Sequence, residues 1–400
     1  MTSRSQGRRL GVVGFLGLCM LCVDPTRAMA QEPSVRDVLS FLLTNRAVAT
    51  GDFARDQQAA EATRDTMARA LLVELATLPI TTSSGGFSFR FNPGLGTVER
   101  VTPSFGPFFV DRATTSGRGQ ASISMTYRYS RYESLDNYSL GDGSLVTTAN
   151  KFRDEAAPFD VDTLSLDIRS NTVTVLGNYG IADRLDFGVA VPIVHLTLSG
   201  RRVNTYNGSP FEVARGSAQT AGIADVAVRG KLQVLRSASG QLAADLELRL
   251  PTGSVEDLRG TGRAAYKGAL IVSSGPGRVE GHANGALTFG GISKEQAVSA
   301  ALTVAPSERL TLSAEALARR VEALSDIRAV SQPNPLIAGM DTIRLLPTGD
   351  PTVTVTAVAG VRWNLTSTWL LNGYIAVPMT NHGLKARPIP ALALDYSFVR

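Results

Sequence analysis

The sequence predicts an all-β fold: a transmembrane antiparallel up-and-down β-barrel of about 12 strands, within a range of about 10–14. An N-terminal helical segment precedes it, either as a plug or as a periplasmic piece. Three observations predict this. The chain opens with an export leader, its body alternates apolar and polar residues at period two, and the gaps between those runs are alternately short and long.

The leader comes first. Arg4, Arg8 and Arg9 form a basic start, Leu10 to Val23 is apolar, and Asp24, Pro25 and Arg27 end that run before it could span a bilayer. Ala28-Met29-Ala30 places small residues where a signal peptidase reads, so residues 1–30 are expected to be a signal peptide and the mature chain to start at Gln31. The two cysteines, Cys19 and Cys22, both lie in the leader, which removes disulfides and thiolate chemistry from the mature chain. Of 40 Lys+Arg and 35 Asp+Glu, the leader holds four and one, which leaves 36 against 34 and a net charge of +2. No stretch forms a basic stripe, so nucleic acid is not an expected partner.

Residues 31–118 read as a separate segment. Ser34 to Asn45 predicts a short apolar helix. Asp52 to Leu78 predicts a longer one, with Asp52 as N-cap, Pro79 beyond its end, and Asp65 and Arg69 as an i,i+4 pair. Phe53, Ala60, Met67, Leu71, Leu72 and Leu75 give that helix an apolar side. Ser83-Ser84-Gly85-Gly86 breaks it, and Phe87 to Val101 reads as a hairpin. The segment either folds into the lumen or stays in the periplasm.

Residues 119–400 are the barrel. No mature segment holds about 18 consecutive apolar residues, so no helix crosses a membrane. Strands are expected at 119–134, 160–179, 184–199, 222–235, 241–252, 263–273, 278–290, 297–305, 309–319, 352–363, 368–379 and 389–399. In the last, Leu392, Leu394, Tyr396 and Phe398 share one face and Ala391, Ala393, Asp395 and Ser397 the other. Val353, Val355, Ala357, Ala359, Val361 and Trp363 likewise oppose Thr352, Thr354, Thr356 and Arg362. Within 160–179 the apolar face changes sides near Ser170-Asn171, which predicts a bulge or a hidden hairpin.

Alternation alone fits a soluble sandwich as well as a barrel in lipid. The connections discriminate. Gaps at 181–183, 236–240, 274–277, 306–308 and 364–367 are short, while 135–159, 200–221 and 320–351 are long, the pattern of periplasmic turns and external loops. Tyr179, Trp363, Trp369, Tyr374, Tyr396 and Phe398 lie near strand ends, where an aromatic girdle belongs.

Several motifs bear a family likeness. The run Asn178-Tyr179-Gly180-Ile181-Ala182-Asp183-Arg184-Leu185-Asp186-Phe187-Gly188-Val189-Ala190-Val191-Pro192 resembles a strand–turn–strand of the bacterial outer-membrane transporter proteins named for the meta-pathway of phenol degradation. Gly222 to Asp225 with Arg229 and Lys231, Leu250-Pro251-Thr252-Gly253, Ser83 to Phe91, Ser104 to Phe109, Gly117-Arg118-Gly119 and Leu394 to Phe398 are similar too. The resemblance implies a barrel related to outer-membrane channels for hydrophobic compounds, and it brings no agreed substrate. One departure is that Val399 and Arg400 follow Phe398, where such barrels end on an aromatic residue.

The expected functional surface is the polar inward face: Asp225, Arg229, Lys231, Asp245, Glu247, Arg249, Glu280, His282, Asn284, Arg362, Asn372 and Asp395. These side chains either narrow a pore and orient solute, or pair with one another to fill the lumen. Catalysis is not expected, because His195, His282 and His382 are neither in a nucleophile elbow nor at metal-ligand spacing. The function expected is passive uptake of small hydrophobic or aromatic molecules through the outer membrane, gated by the plug and a break in the wall. Alternatives are a structural or ligand-binding barrel and a lipid-modifying enzyme. No cofactor is expected. The expected partners are outer-membrane lipids, the barrel-assembly machinery and the small solute.

Overall fold

The computed structural model describes residues 33–43, most of 61–73, Gly86, two short strands at 89–92 and 97–100, and residues 102–398 apart from 335–336. The leader, the residues around Asp52 and Pro79, and the C-terminal pair Val399-Arg400 lie outside the described residues.

A nine-residue helix, α1 (Val35–Leu43), comes first. Ser34 caps it: its Oγ accepts the Asp37 N–H at 3.1 Å while its own N–H donates to Asp37 Oδ2 at 3.2 Å. The expected end of this helix, residues 44–45, lies outside the described residues. Residues 67–73 are helical as well. Asp65 pairs with its neighbour Arg64 at 2.9 Å and with Arg36 of α1 at 3.9 Å. β1 (Phe89–Asn92) and β2 (Thr97–Arg100) form the expected hairpin.

Twelve strands close the barrel: β3 (Ala121–Leu135), β6 (Asp160–Ala182), β7 (Leu185–Tyr206), β9 (Val226–Arg236), β10 (Gly240–Leu250), β11 (Ala265–Ser274), β12 (Val279–Gly290), β13 (Glu295–Ser307), β14 (Leu310–Pro333), β15 (Met340–Asn364), β16 (Trp369–Pro378) and β18 (Ile389–Phe398). Each pairs antiparallel with its neighbour, and β3 joins β18 to β6 to seal the ring. Closure leaves no backbone group of the ring facing lipid unpaired. Four further external strands, β4 (Tyr138–Ser139), β5 (Leu145–Phe152), β8 (Ser209–Ile223) and β17 (Leu384–Ala386), add to the wall above.

Two of the three long gaps are strand extensions and the third is a loop that carries two short strands. Residues 200–221 are the tip of a β7–β8 hairpin turning at Asn207-Gly208, both at positive φ. Residues 320–351 are the ends of β14 and β15, which stay paired up to Pro333 and Asp341. Residues 135–159 carry β4 and β5, and β5 bridges β6 and β15. The sequence of these segments is too mixed in polarity to read as strand in lipid, because they stand in water. They raise the wall into a tower on one side. On the other side β9 to β13 end low, β8 has no second strand partner, and the 251–264 loop closes on its base through Arg259, which donates to Thr220 Oγ1 and the Ile223 carbonyl.

β6 runs straight through Ser170-Asn171 with no bulge and no hairpin, and its even-numbered residues face inward from end to end. What changes is the surroundings. In the lower half the outward residues are apolar, such as Val175 and Tyr179. In the tower the inward residues Leu164, Leu166 and Ile168 are the buried ones, and they pack with Val194, Leu196 and Leu198 of β7, with α1 and with residues 67–73 in one cluster. Gly200 sits under α1: a Cβ there would lie 2.6 Å from the Leu166 side chain and 2.7 Å from that of Leu42.

Below the tower an apolar belt rings the outside. Ile123, Met125, Ile193, Leu246, Leu270, Val298, Val353 and Leu392 are all exposed there, a surface that only lipid would cover. Trp363, Trp369, Tyr179 and Phe398 are exposed at its periplasmic edge, and Tyr396 packs between Trp369, tilted, and Phe398, edge-on, with centroids 4.7 Å apart on each side. Tyr374 is not in this girdle. It has the inward parity of Asn372 and packs on Phe108 and Phe109 at 4.9 and 5.0 Å.

Candidate functional site: the barrel lumen

The belt interior is occupied by residues 102–120. Pro103, Pro107 and several glycines keep this stretch out of helix and strand, so its backbone groups need partners from elsewhere. The wall supplies them as side chains. Glu315, at the inward parity of β14, accepts the N–H groups of Phe108, Phe109 and Val110. Thr311 accepts from Phe105 at 3.0 Å, Ser273 from Ala113 at 2.9 Å, and Asp186 from Ser116 at 2.8 Å. In return Lys231 donates to the Arg112 carbonyl at 3.2 Å, Gln233 to that of Ala113 at 3.0 Å, and Arg362 to that of Pro107. Hydrogen bonds to charged groups contribute about 1.5–3 kcal/mol each, so a segment with no secondary structure of its own is fixed at many points. Its exit presses on the wall: a Cβ on Gly180 would fall 1.8 Å from the Gly117 carbonyl oxygen.

The twelve sequence-predicted residues divide into groups. Asp225, Arg229, Asp245, Glu247, Arg249 and Asn284 border a cavity above this segment. Arg229 is the hinge between the two, with Asp111 at 2.6 Å and Asp245 at 3.7 Å, and Glu247 pairs with Arg249 at 2.7 Å. Asp225 is spent on the 251–264 loop, accepting from Gly253 N and from Thr261 N and Oγ1. Lys231, Arg362, Asn372 and Asp395 lie lower. Arg362 pairs with Asp395 at 3.3 Å and stacks on the Phe108 ring at 4.5 Å, with Asn372 Oδ1 at 3.5 Å. Glu280 and His282 form a separate periplasmic pair, with His282 Nδ1 on Ser273 Oγ at 2.9 Å.

The sequence reading missed Glu315, Asp186, Asp111 and Lys267. Glu315 shares the inward parity of Thr311 and Ser313, and Lys267 lies directly across from Glu247, so strand parity and pairing would have found both. Asp111 sits in an irregular stretch whose position no periodicity announces.

The cavity, about 170 Å³, lies between Val73 of the helical roof and Phe109 and Asp111 of the floor. It reaches the low external turn at Gly290 to Ser293. One wall is charged, with Arg229, Asp245, Glu247, Arg249 and Lys267 in a ladder of alternating sign. The opposite wall is mixed: Leu317, Val321, Val358, Ala376 and Ile389 stand among Arg128, Arg319, Thr354 and Thr356.

The chain is an outer-membrane β-barrel. No protein-family profile matches it, and neither does any curated protein sequence. Among solved structures, an outer-membrane channel from Pseudomonas putida F1 aligns over 72% of this chain and 98% of its own length, at 13% identity and a TM-score of 0.45. The KdgM porin covers 69% of this chain and 99% of its own, at 8% identity and a TM-score of 0.36. OprB of Pseudomonas putida covers 70% and 93%, at 10% identity and a TM-score of 0.28.

Proposed function

We propose that the protein is an outer-membrane channel for small hydrophobic or aromatic molecules, gated by residues 102–120 in its lumen. The lumen cavity, lined by both aliphatic and charged side chains, carries this reading. Its volume of about 170 Å³ is close to the roughly 150 Å³ that accommodates benzene in an engineered protein cavity. Its aliphatic side chains offer apolar contact, and its charged groups of both signs can meet a hydroxyl or carboxylate. The low wall over β12–β13 gives access from outside without crossing the tower core. The motifs resembling the phenol meta-pathway transporters point the same way.

A barrel that binds such a molecule without passing it is the second reading, and the tightly fastened floor favours it. Uptake into liposomes separates the two. For a channel, phenol enters protein-containing liposomes faster than empty ones, and Glu315→Gln raises both this rate and planar-bilayer conductance by loosening Phe108 to Val110. A sealed trace for both proteins, with phenol bound but not transported, means a binding barrel.

A further inference from the structure

Above the belt, the outer face of the tower between β3 and β8 carries a cluster of arginines. Strand pairing fixes their level. Tyr127, Val173, Ile193 and Ile223 form the top apolar row of this part of the belt. Four residues further along β3 and β6, Arg131 lies opposite Arg169. Beyond them Arg201 pairs with Arg215, and Arg387 is held beside Arg131 by a backbone hydrogen bond of 2.8 Å. At about 3.3 Å per residue this sets the first arginines roughly 13 Å along the strand from the acyl-facing row, less once strand tilt is counted.

The cluster has more positive than negative charge. Arg131 and Arg169 share the single carboxylate of Asp167, Arg215 pairs with Glu212, and Arg387 pairs with Glu133. Arg201 makes no ion pair among the described residues. Arg131, Arg201, Arg215 and Arg387 border a shallow cavity of about 870 Å³ floored by serines, with the carboxylates of Glu133, Asp142 and Asp167 also at its edge, so the arginines outnumber the acids by one there. The hydroxyls of Ser165, Ser199 and Ser217 have no protein partner among the described residues and are open to an acceptor.

We propose that this face is a headgroup site for the phosphates of an anionic glycolipid in the external leaflet. Guanidinium groups and free hydroxyls are donors that phosphate oxygens accept. A lipid is favoured over a soluble anion by position: the site faces away from the lumen and stands directly over a surface that acyl chains cover. A lipid seated on Tyr127, Val173 and Ile193 would present its phosphates at this level. The site is independent of any transport role.

The test uses the full mature chain in detergent micelles, titrated with diphosphoryl lipid A and with the same lipid stripped of both phosphates. Two variants probe the site: Arg201→Gln with Arg215→Gln, and Ser217→Asp, which puts a negative charge in the floor without breaking an ion pair. Retention of heat-modifiable gel mobility confirms that each barrel is folded. The wild-type protein binds the diphosphoryl form about 10-fold or more tightly, and both variants lose that preference, as expected for surface arginines that each contribute modestly to anionic-lipid binding. A preference that survives in both variants, or equal binding of the stripped lipid, overturns the proposal. Complete displacement by millimolar inorganic phosphate overturns the lipid assignment and leaves a free-anion site.

Discussion

The belt and the tower are built from the same strands with opposite chemistry. On β6 and β7, parity never changes, yet Val175 and Ile193 face outward below while Leu166 and Leu198 face inward above. Outside the belt is lipid and inside it is a polar lumen filled by an irregular segment. Outside the tower is water and inside it is an apolar core completed by α1 and residues 67–73. The difference teaches that a strand fixes only which residues share a face. The medium on each side decides which face is apolar, and one strand can cross two media.

The largest expected effect lies inside the tower. Leu198→Asp places an unpaired charge in a fully enclosed apolar core, at a cost of about 3–5 kcal/mol. Amide exchange in α1 then rises and the tower becomes open to protease, while the belt keeps its gel mobility. Unchanged protection of α1 would break the contrast, since α1 would then not depend on this core. The next effect lies outside the belt. Leu246, 72% exposed, faces lipid. Leu246→Arg costs roughly 2–4 kcal/mol, read as loss of folding into vesicles against urea. Full tolerance would place the belt at a different height.

A smaller effect sharpens the upper boundary. Asp136, at the tip of β3, ties three external segments by accepting from Ile327 N at 2.6 Å and Gly383 N at 2.7 Å. Burial pushes its pKa from 3.8 up to about 6; those two N–H groups pull it down, and nearby Asp326 pushes it up. The folded state therefore binds the proton more tightly than the unfolded chain. The resulting stabilisation is complete below about pH 4 and is lost as pH rises through about 6, an effect on the order of 2 kcal/mol. Urea unfolding of the tower between pH 4 and 8 reads this slope, and Asp136→Asn flattens it. A slope that persists in that variant assigns it to another group. The smallest effect is on the tower's outer face, where Gln219→Leu shifts stability by no more than about 0.5 kcal/mol. A large shift in melting there would mean that the outer face packs against something.

Most of the belt was legible in the sequence. In β10, Leu242, Leu246 and Leu248 against Asp245 and Glu247 give the facing residue by residue, because lipid permits so little polarity on its side. The site was only partly legible. Parity places Arg229 and Arg362 inward, but nothing in it says that they fasten Asp111 and Pro107. Those partners lie 118 and 255 residues away in a stretch with no period to read.

The sequence by itself determined the strand order, the parity of the belt strands and the polar character of its lumen, since each follows from local alternation and short turns. Only the tertiary structure decided that two of the long gaps are strand extensions, that Leu164, Leu166 and Ile168 point inward, and that residues 102–120 cross the lumen. The reason is physical. An apolar residue in a strand needs shelter on its side, and lipid and a docked helix both provide it. Local sequence specifies the need, while the identity of the shelter depends on segments more than a hundred residues apart meeting in space.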